Sequence, residues 1–395
     1  MMTNRRLSIR LTLLVALLVA LTVGSSRLHA DTGTCGGVTT TLPFTDVMSN
    51  PFFCQIAEAF FSGLTNGTSA TTYSPSANVT RDQMAAFITR TQDSALRRGN
   101  RRAALDQWAS PVALPLTGRT TVGIGTRFVK SDGADLWVAD FTSNDVKRVR
   151  ASDGKVLETW TGAVDAVGVL VARGRVYVTG ESIPGALFVI DPSMAAGGVT
   201  TLGSALGGEP TGIATDGSFI WTANLGGSVS KVDPDSGTTN NISIGFTEPE
   251  GILFDGLNIW VTDVGDIKLK KLDSSGNIVQ SVSVGISPLF PVFDGSNIWV
   301  PNTGENSMTV VRARDGLVLA TLTGNGLNTP EQAAFDGQRI LVTNGAGNSV
   351  SLWKAADLTP IGTFPTGTAT APFGACSDGV NFWVTLDLAN QLARF

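Results

Sequence analysis

The chain has almost no histidine: one in 395 residues, His29. That residue falls within residues 1–30, which begin with Arg5, Arg6 and Arg10, continue as an apolar run over 11–23, and end in small residues at 25–30. This order reads as a secretory signal peptide, and the run is too short for a membrane span. Removing the leader leaves no imidazole. A Ser-His-Asp or Cys-His nucleophile pair is then excluded, as is any His-ligated zinc or iron centre. Charge is also sparse, at 15% of residues. Past the leader, 24 basic residues face 33 acidic ones, a net charge of about −9. That balance argues against nucleic acid and against an anionic membrane surface as partners. No phosphate-cradling Gly-x-x-x-x-Gly-Lys loop is present, and no Asp/Asn run matches an EF-hand. Asp273–Asn277 has the composition of a hairpin turn instead.

Cysteine is nearly as scarce, with three in the chain. Cys35 and Cys54 lie 19 apart in a small N-terminal segment of a chain sent to an oxidising compartment, so they are expected to form a disulfide. Cys376 sits among Pro372, Phe373 and Ala375 and is expected to be a buried, inert thiol.

What the sequence has in abundance is a repeat. Trp137-Val-Ala-Asp140, Tyr177-Val-Thr-Gly180, Trp221-Thr-Ala-Asn224, Trp260-Val-Thr-Asp263, Trp299-Val-Pro-Asn302, Leu341-Val-Thr-Asn344 and Trp383-Val-Thr-Leu386 follow one another at steps of 40, 44, 39, 39, 42 and 42 residues. A period near 40 in strand-rich sequence marks radial β-repeats of four strands each. Asp-Gly pairs at 132, 216, 255, 294, 336 and 378 precede the phrase and predict tight hairpins, because glycine accepts positive φ. Typical units read as strands over 212–215, 219–222, 228–232 and 240–245, then 251–254, 259–262, 267–272 and 278–284. The last unit ends at Phe395 without an outer strand, and 112–118 resembles the outer strand at 318–324. That segment is expected to complete the seventh unit and close the ring, removing its open edges. The fold class is therefore all-β: a seven-bladed β-propeller over 111–395, behind a small helical domain and an Arg-rich linker at 97–110. The phrase and the hairpins resemble the YVTN/NHL group of β-propellers. That resemblance specifies a fold that hosts binding, scaffolding and catalysis alike.

Residues 31–96 carry two helical patterns, one over 51–64 (Phe53, Ile56, Ala57, Phe60, Leu64) and one from Thr80, where Thr80 and Gln83 fit a capping box. Phe44-Thr-Asp-Val47, the turn glycines Gly63 and Gly67, Tyr73-Ser-Pro75 and Val79-Thr-Arg-Asp-Gln83 resemble, in order, the elements of an S-layer homology module. The resemblance implies attachment to a cell-wall polymer, with Thr80 and Arg81 gripping anionic glycan. Such modules act in threes, and one copy here implies homo-oligomerisation.

The position three after the aromatic is Asp140, Asn224, Asp263, Asn302 or Asn344 in five of seven units. Two readings stand: a ring of oxygen donors at the channel mouth for a sugar, a peptide or Ca²⁺, or side chains that bond their own turns. The repeated Trp residues are expected in the inter-blade core. Glu209, Glu248, Glu250 and Glu331 fall in connectors, and serve as acid or base only where a pocket shifts their pKa. The function expected is a secreted, cell-surface binding or scaffold propeller, with wall polymer or an envelope protein as partner. The alternative is an extracytoplasmic metal-dependent lactonase or a lyase-like enzyme.

Overall fold

The computed structural model describes residues 30–35, 38–61, 64–81, 83–87 and 116–395. Residues 1–29 of the signal peptide expected over 1–30, and the linker expected at 97–110, lie outside these. The chain divides into two compact units, with the boundary between Gln83 and Met84. Among the described residues no helix is long and apolar enough to cross a membrane.

The N-terminal unit opens with a hairpin that the helical patterns do not announce: β1 (Asp31–Cys35) pairs antiparallel with β2 (Val38–Leu42). Its second strand is a β-branched run, Val-Thr-Thr-Thr-Leu, which favours a pleated ladder. Helix α1 (Phe53–Phe61) buries Phe53, Ile56, Ala57, Phe60 and Phe61. The Cys35–Cys54 disulfide forms as expected, joining hairpin to helix at a Cα separation of 5.5 Å. Phe44 packs edge-on against Phe60 and at a tilt against Tyr73, and Asp46 accepts hydrogen bonds from the amides of Tyr73 and Ser74. The Phe-Thr-Asp and Tyr-Ser-Pro motifs are thus bonded to each other. The capping box also forms: the Thr80 amide donates to Gln83 Oε1 at 3.0 Å, and the Gln83 amide to Thr80 Oγ1 at 3.4 Å.

The second unit is a closed ring of seven four-stranded sheets. Blades I to VI run in chain order over 126–161, 166–206, 210–242, 249–283, 288–323 and 330–365. Blade VII takes Pro372–Ser377, Phe382–Leu386 and Gln391–Arg394 from the C-terminal end and β3 (Gly118–Thr121) from the other, paired Gly118 with Arg394. The closure is the one expected, but the closing strand lies later than 112–118, of which 112–115 are outside the described residues.

Three devices repeat. The aromatic of the second strand joins a buried cluster with the next blade: Trp221 with Ile252 and Ile259, Trp260 with Ile298 and Val300, and Trp383 with Val129 and Leu136 across the closure. The Asp of each Asp-Gly hairpin accepts two turn amides and the indole N–H of that aromatic, as when Asp255 takes Leu257, Asn258 and Trp260 Nε1 at 2.8, 2.6 and 2.7 Å. In blade VI, where the aromatic is Leu341, buried Arg339 takes the place of the indole, its Nε 2.8 Å from Asp336. The glycine that follows has positive φ, +94° at Gly256.

The third device faces the channel. The Thr of the repeat phrase accepts the amide of the innermost strand and donates to a carbonyl of the next blade. Thr262 Oγ1 takes Gly251 N at 2.8 Å and gives to Leu289 O at 2.8 Å, and Thr385 joins Gly374 N to Arg127 O at 2.7 and 2.6 Å. The carbonyl approaches so closely that a Cβ on Gly374 would lie 2.4 Å from it. This is why Gly follows the second residue of several innermost strands.

Candidate functional site

Repetition separates what the ring needs from what it does not. The five Asp and Asn residues three after the aromatic are buried, each 0% exposed. Asn224, Asn302 and Asn344 donate from Nδ2 to two hydroxyls of the neighbouring strand: Ser228 and Ser230, Ser307 and Thr309, Ser349 and Ser351. Asp263 instead pairs with buried Lys270 at 2.7 Å and accepts the amides of Thr247 and Glu248. Asp140 accepts Gly123 N at 2.9 Å, and burial raises its carboxyl to about 7. These five side chains therefore face into their own blades and fasten the second strand to the third strand or to the incoming loop. The repeated Trp residues are buried likewise.

The channel-facing residues do not repeat. Each innermost strand pairs its first residue with the end of the second strand, then bulges before regular pairing resumes: Thr126↔Asp140, Ala166↔Gly180, Pro210↔Asn224, Pro249↔Asp263, Pro330↔Asn344 and Pro372↔Leu386. Blade V has the same opening as a bridge between Pro288 and Asn302. Proline fits a first residue, where no ladder donor is required. The residue after it in each blade, inside the bulge, is Arg127, Val167, Thr211, Glu250, Leu289, Glu331 or Phe373. Glu250 and Glu331 thus belong to the innermost strands Pro249–Phe254 and Pro330–Phe335, not to connectors.

Arg127, Glu250 and Glu331 form an electrostatic group at the mouth of the channel, joined by Glu181. Burial lifts the Glu250 carboxyl to about 8, and Glu331, Glu181 and Glu248 add to the shift by like-charge repulsion. Burial lifts Glu331 to about 7 against the pull of Arg127. Glu181 is raised for the same first reason, with Arg127 opposing and Glu209 and Asp165 adding. Arg127 bonds Asp387 at 3.3 Å and stacks over Phe141 and Phe373 at 5.5 and 5.1 Å. Phe373 of the same ring meets Phe128 and Phe290, and these two meet each other, edge to face, with centroids 4.6 to 5.8 Å apart. These rings come from blades I, V and VII, so they meet across the channel and give the mouth an apolar floor.

Among the described residues no three His, Cys, Asp or Glu side chains gather as a metal ion requires. Sequence reading singled out Glu250 and Glu331 and missed Arg127 and Glu181. The available signal was that a charged residue follows the strand-opening position in three blades and an uncharged one in the other four.

No family model matches the chain, so the S-layer resemblance of 31–96 rests on its motifs alone. No curated protein matches it either. Solved structures do. A streptogramin B lyase aligns at TM-score 0.60 and 16% identity, over 70% of this chain and 96% of its own. Virginiamycin B lyase from Staphylococcus aureus aligns at 0.60 and 15%, over 70% and 97%. Kuenenia stuttgartiensis hydrazine synthase aligns at 0.59 and 18%, over 73% and 98%. At such identities the likeness is one of fold: the seven-bladed β-propeller.

Proposed function

We propose that this protein is an extracytoplasmic binding propeller, held at the cell surface by its N-terminal unit, that takes a small ammonium-bearing ligand into the mouth of its channel. One observation carries the reading. The charged residues of the non-repeating channel ring, Arg127, Glu250 and Glu331, converge with Glu181 above an aromatic floor, with carboxyl groups exceeding guanidinium groups. Carboxyls raised to about 7 and 8 by burial, with like-charge repulsion adding at Glu250, gain from a cation that lets them ionise. The disulfide supports an oxidising compartment. Arg81, exposed at a capped helix start, supports a wall-polymer contact through Thr80 and Arg81.

The test is titration with a blocked Ala-Lys-Ala peptide and its Nε-acetylated counterpart. The ammonium form should bind at least about tenfold more tightly, since charge-assisted hydrogen bonds are roughly twice as strong as neutral ones. Its affinity should rise between pH 6 and 9 as Glu250 releases its proton, and Glu250→Gln should flatten that rise. Equal affinity for the acetylated peptide would remove the reading. Retention of the 31–110 fragment on purified cell wall, lost on Arg81→Ala, tests the tether separately.

A second reading rests on the same two carboxyls. A protonated Glu250 beside a half-ionised Glu331 is the pairing that general acid–base catalysis uses near neutral pH. Turnover of a lactone panel that both Glu250→Gln and Glu331→Gln abolish would favour this lactonase- or lyase-like function over simple binding.

A further inference from the structure

The innermost strands carry a second ring, deeper along the channel, at the residue paired with the aromatic of the repeat. Six of its seven members are Leu170, Ala214, Leu253, Val292, Ala334 and Cys376, paired with Tyr177, Trp221, Trp260, Trp299, Leu341 and Trp383. The seventh, paired with Trp137, is Lys130. The fold asks for an apolar side chain here and receives one six times, so Lys130 departs from what packing requires.

Lys130 lines a cavity of about 430 Å³, within the size range of small-molecule sites. The cavity is bounded by Val169, Leu170, Ile213, Leu253, Phe254 and others, and Lys130 is the only charged residue on its wall. Among the described residues no hydrogen bond or ion pair links Lys130 to a carboxylate. Its titratable neighbour is Cys376, whose thiol burial pushes up to about 12, so it carries no compensating charge at neutral pH. Burial accordingly pulls the Lys130 ammonium down. Of the other polar groups on the wall, Thr211 Oγ1 donates to Glu250 O, Thr215 Oγ1 donates to Phe219 O, Ser131 Oγ accepts Gly133 N, and Gln332 Oε1 accepts Ala375 N.

An uncompensated cation in an apolar pocket is costly unless an anion completes it. We propose that the cavity binds a small apolar carboxylate, its charged end on Lys130 Nζ and its hydrocarbon against Val169, Ile213 and Leu253. A single ammonium with no second cationic group on the wall suits a monoanion rather than a phosphate. The cavity adjoins the mouth at Phe128, Phe290 and Thr211 but includes none of its charged residues, and the proposal does not depend on the function assigned there.

Calorimetric titration of the full mature chain with octanoate and octanamide tests it. Octanoate should bind once per chain, with at least about tenfold preference over the amide, because one charge-assisted bond separates the two. Lys130→Met should erase the preference while leaving octanamide affinity unchanged; it places an apolar residue where the other blades already have one, so the ring should still close. Leu253→Trp, which fills the cavity, should weaken both ligands. Equal affinity for acid and amide, or a preference that survives Lys130→Met, would overturn the proposal. So would covalent trapping of octanal on Lys130 under borohydride without octanoate binding, which would make the residue an imine-forming amine instead.

Discussion

Replacing Glu250 by Gln removes one titration from the channel mouth and leaves shape and hydrogen-bonding capacity nearly unchanged. The carboxyl titrates at about 8 in the folded chain against an ordinary 4.5. The folded state therefore holds the proton more tightly than the unfolded state does. Stability is fully present below pH 4.5 and is lost as pH rises through 8. At about 1.4 kcal/mol per pH unit, the ceiling on that loss is about 5 kcal/mol. The mouth is open to solvent on one side, so water screens the buried charge and about 2 kcal/mol is the better figure. The Gln variant escapes this loss. It should match the parent within about 0.5 kcal/mol at pH 5 and exceed it by about 2 kcal/mol at pH 9. In thermal unfolding that gain is roughly 4–8 °C, taking 2–4 °C per kcal/mol for a large domain. Differential scanning calorimetry at pH 5, 7 and 9 reads it directly. A difference in Tm that does not change with pH would refute the reasoning, because it would mean that Glu250 ionises in the fold as freely as in water. A variant less stable at every pH would do the same, since it would show that the carboxylate itself is held by partners.

Other outcomes follow from the repeated devices. Thr262→Val keeps the side-chain shape but leaves the Gly251 amide and the Leu289 carbonyl without this partner, and should cost about 2–3 kcal/mol in denaturant unfolding, with Thr262→Ser recovering most of it. Asp255→Ala removes the acceptor for two turn amides and the Trp260 indole and should cost about 3 kcal/mol, visible as altered tryptophan fluorescence before the unfolding midpoint. Gly212→Ala brings a Cβ to 2.5 Å from the Glu250 carbonyl, so the ring junction between blades III and IV must shift, and soluble expression should fall sharply. Reducing the Cys35–Cys54 bond should cost the N-terminal unit about 3 kcal/mol, read as faster amide exchange over 31–61 while exchange in the blades stays unchanged.

The blade count, the Asp-Gly hairpins, the disulfide and the burial of Trp137 and its counterparts were legible in the sequence. Each meets a local need, and most meet one that recurs every 40 residues or so: a left-handed glycine to turn the chain, an acceptor for an indole, a wide side chain to fill a wedge between sheets. Repetition amplifies such signals. It also misleads, because Asp140, Asn224, Asp263, Asn302 and Asn344 stand out for the same reason, and the blades use them as internal fasteners. The first hairpin escaped notice because a five-residue strand beside a stronger helical pattern has no repeat to support it.

What only the tertiary structure decided is which of the unlike residues meet. Arg127, Glu181, Glu250 and Glu331 span some 200 positions and share no motif. Neither does Lys130 with the apolar residues around it. Closing β3 onto Gln391–Arg394 bends seven similar sheets around one axis and gathers their innermost strands, which carry most of those side chains, around it. Burial then shifts their charges, and burial is a property of the closed ring, written in no single blade.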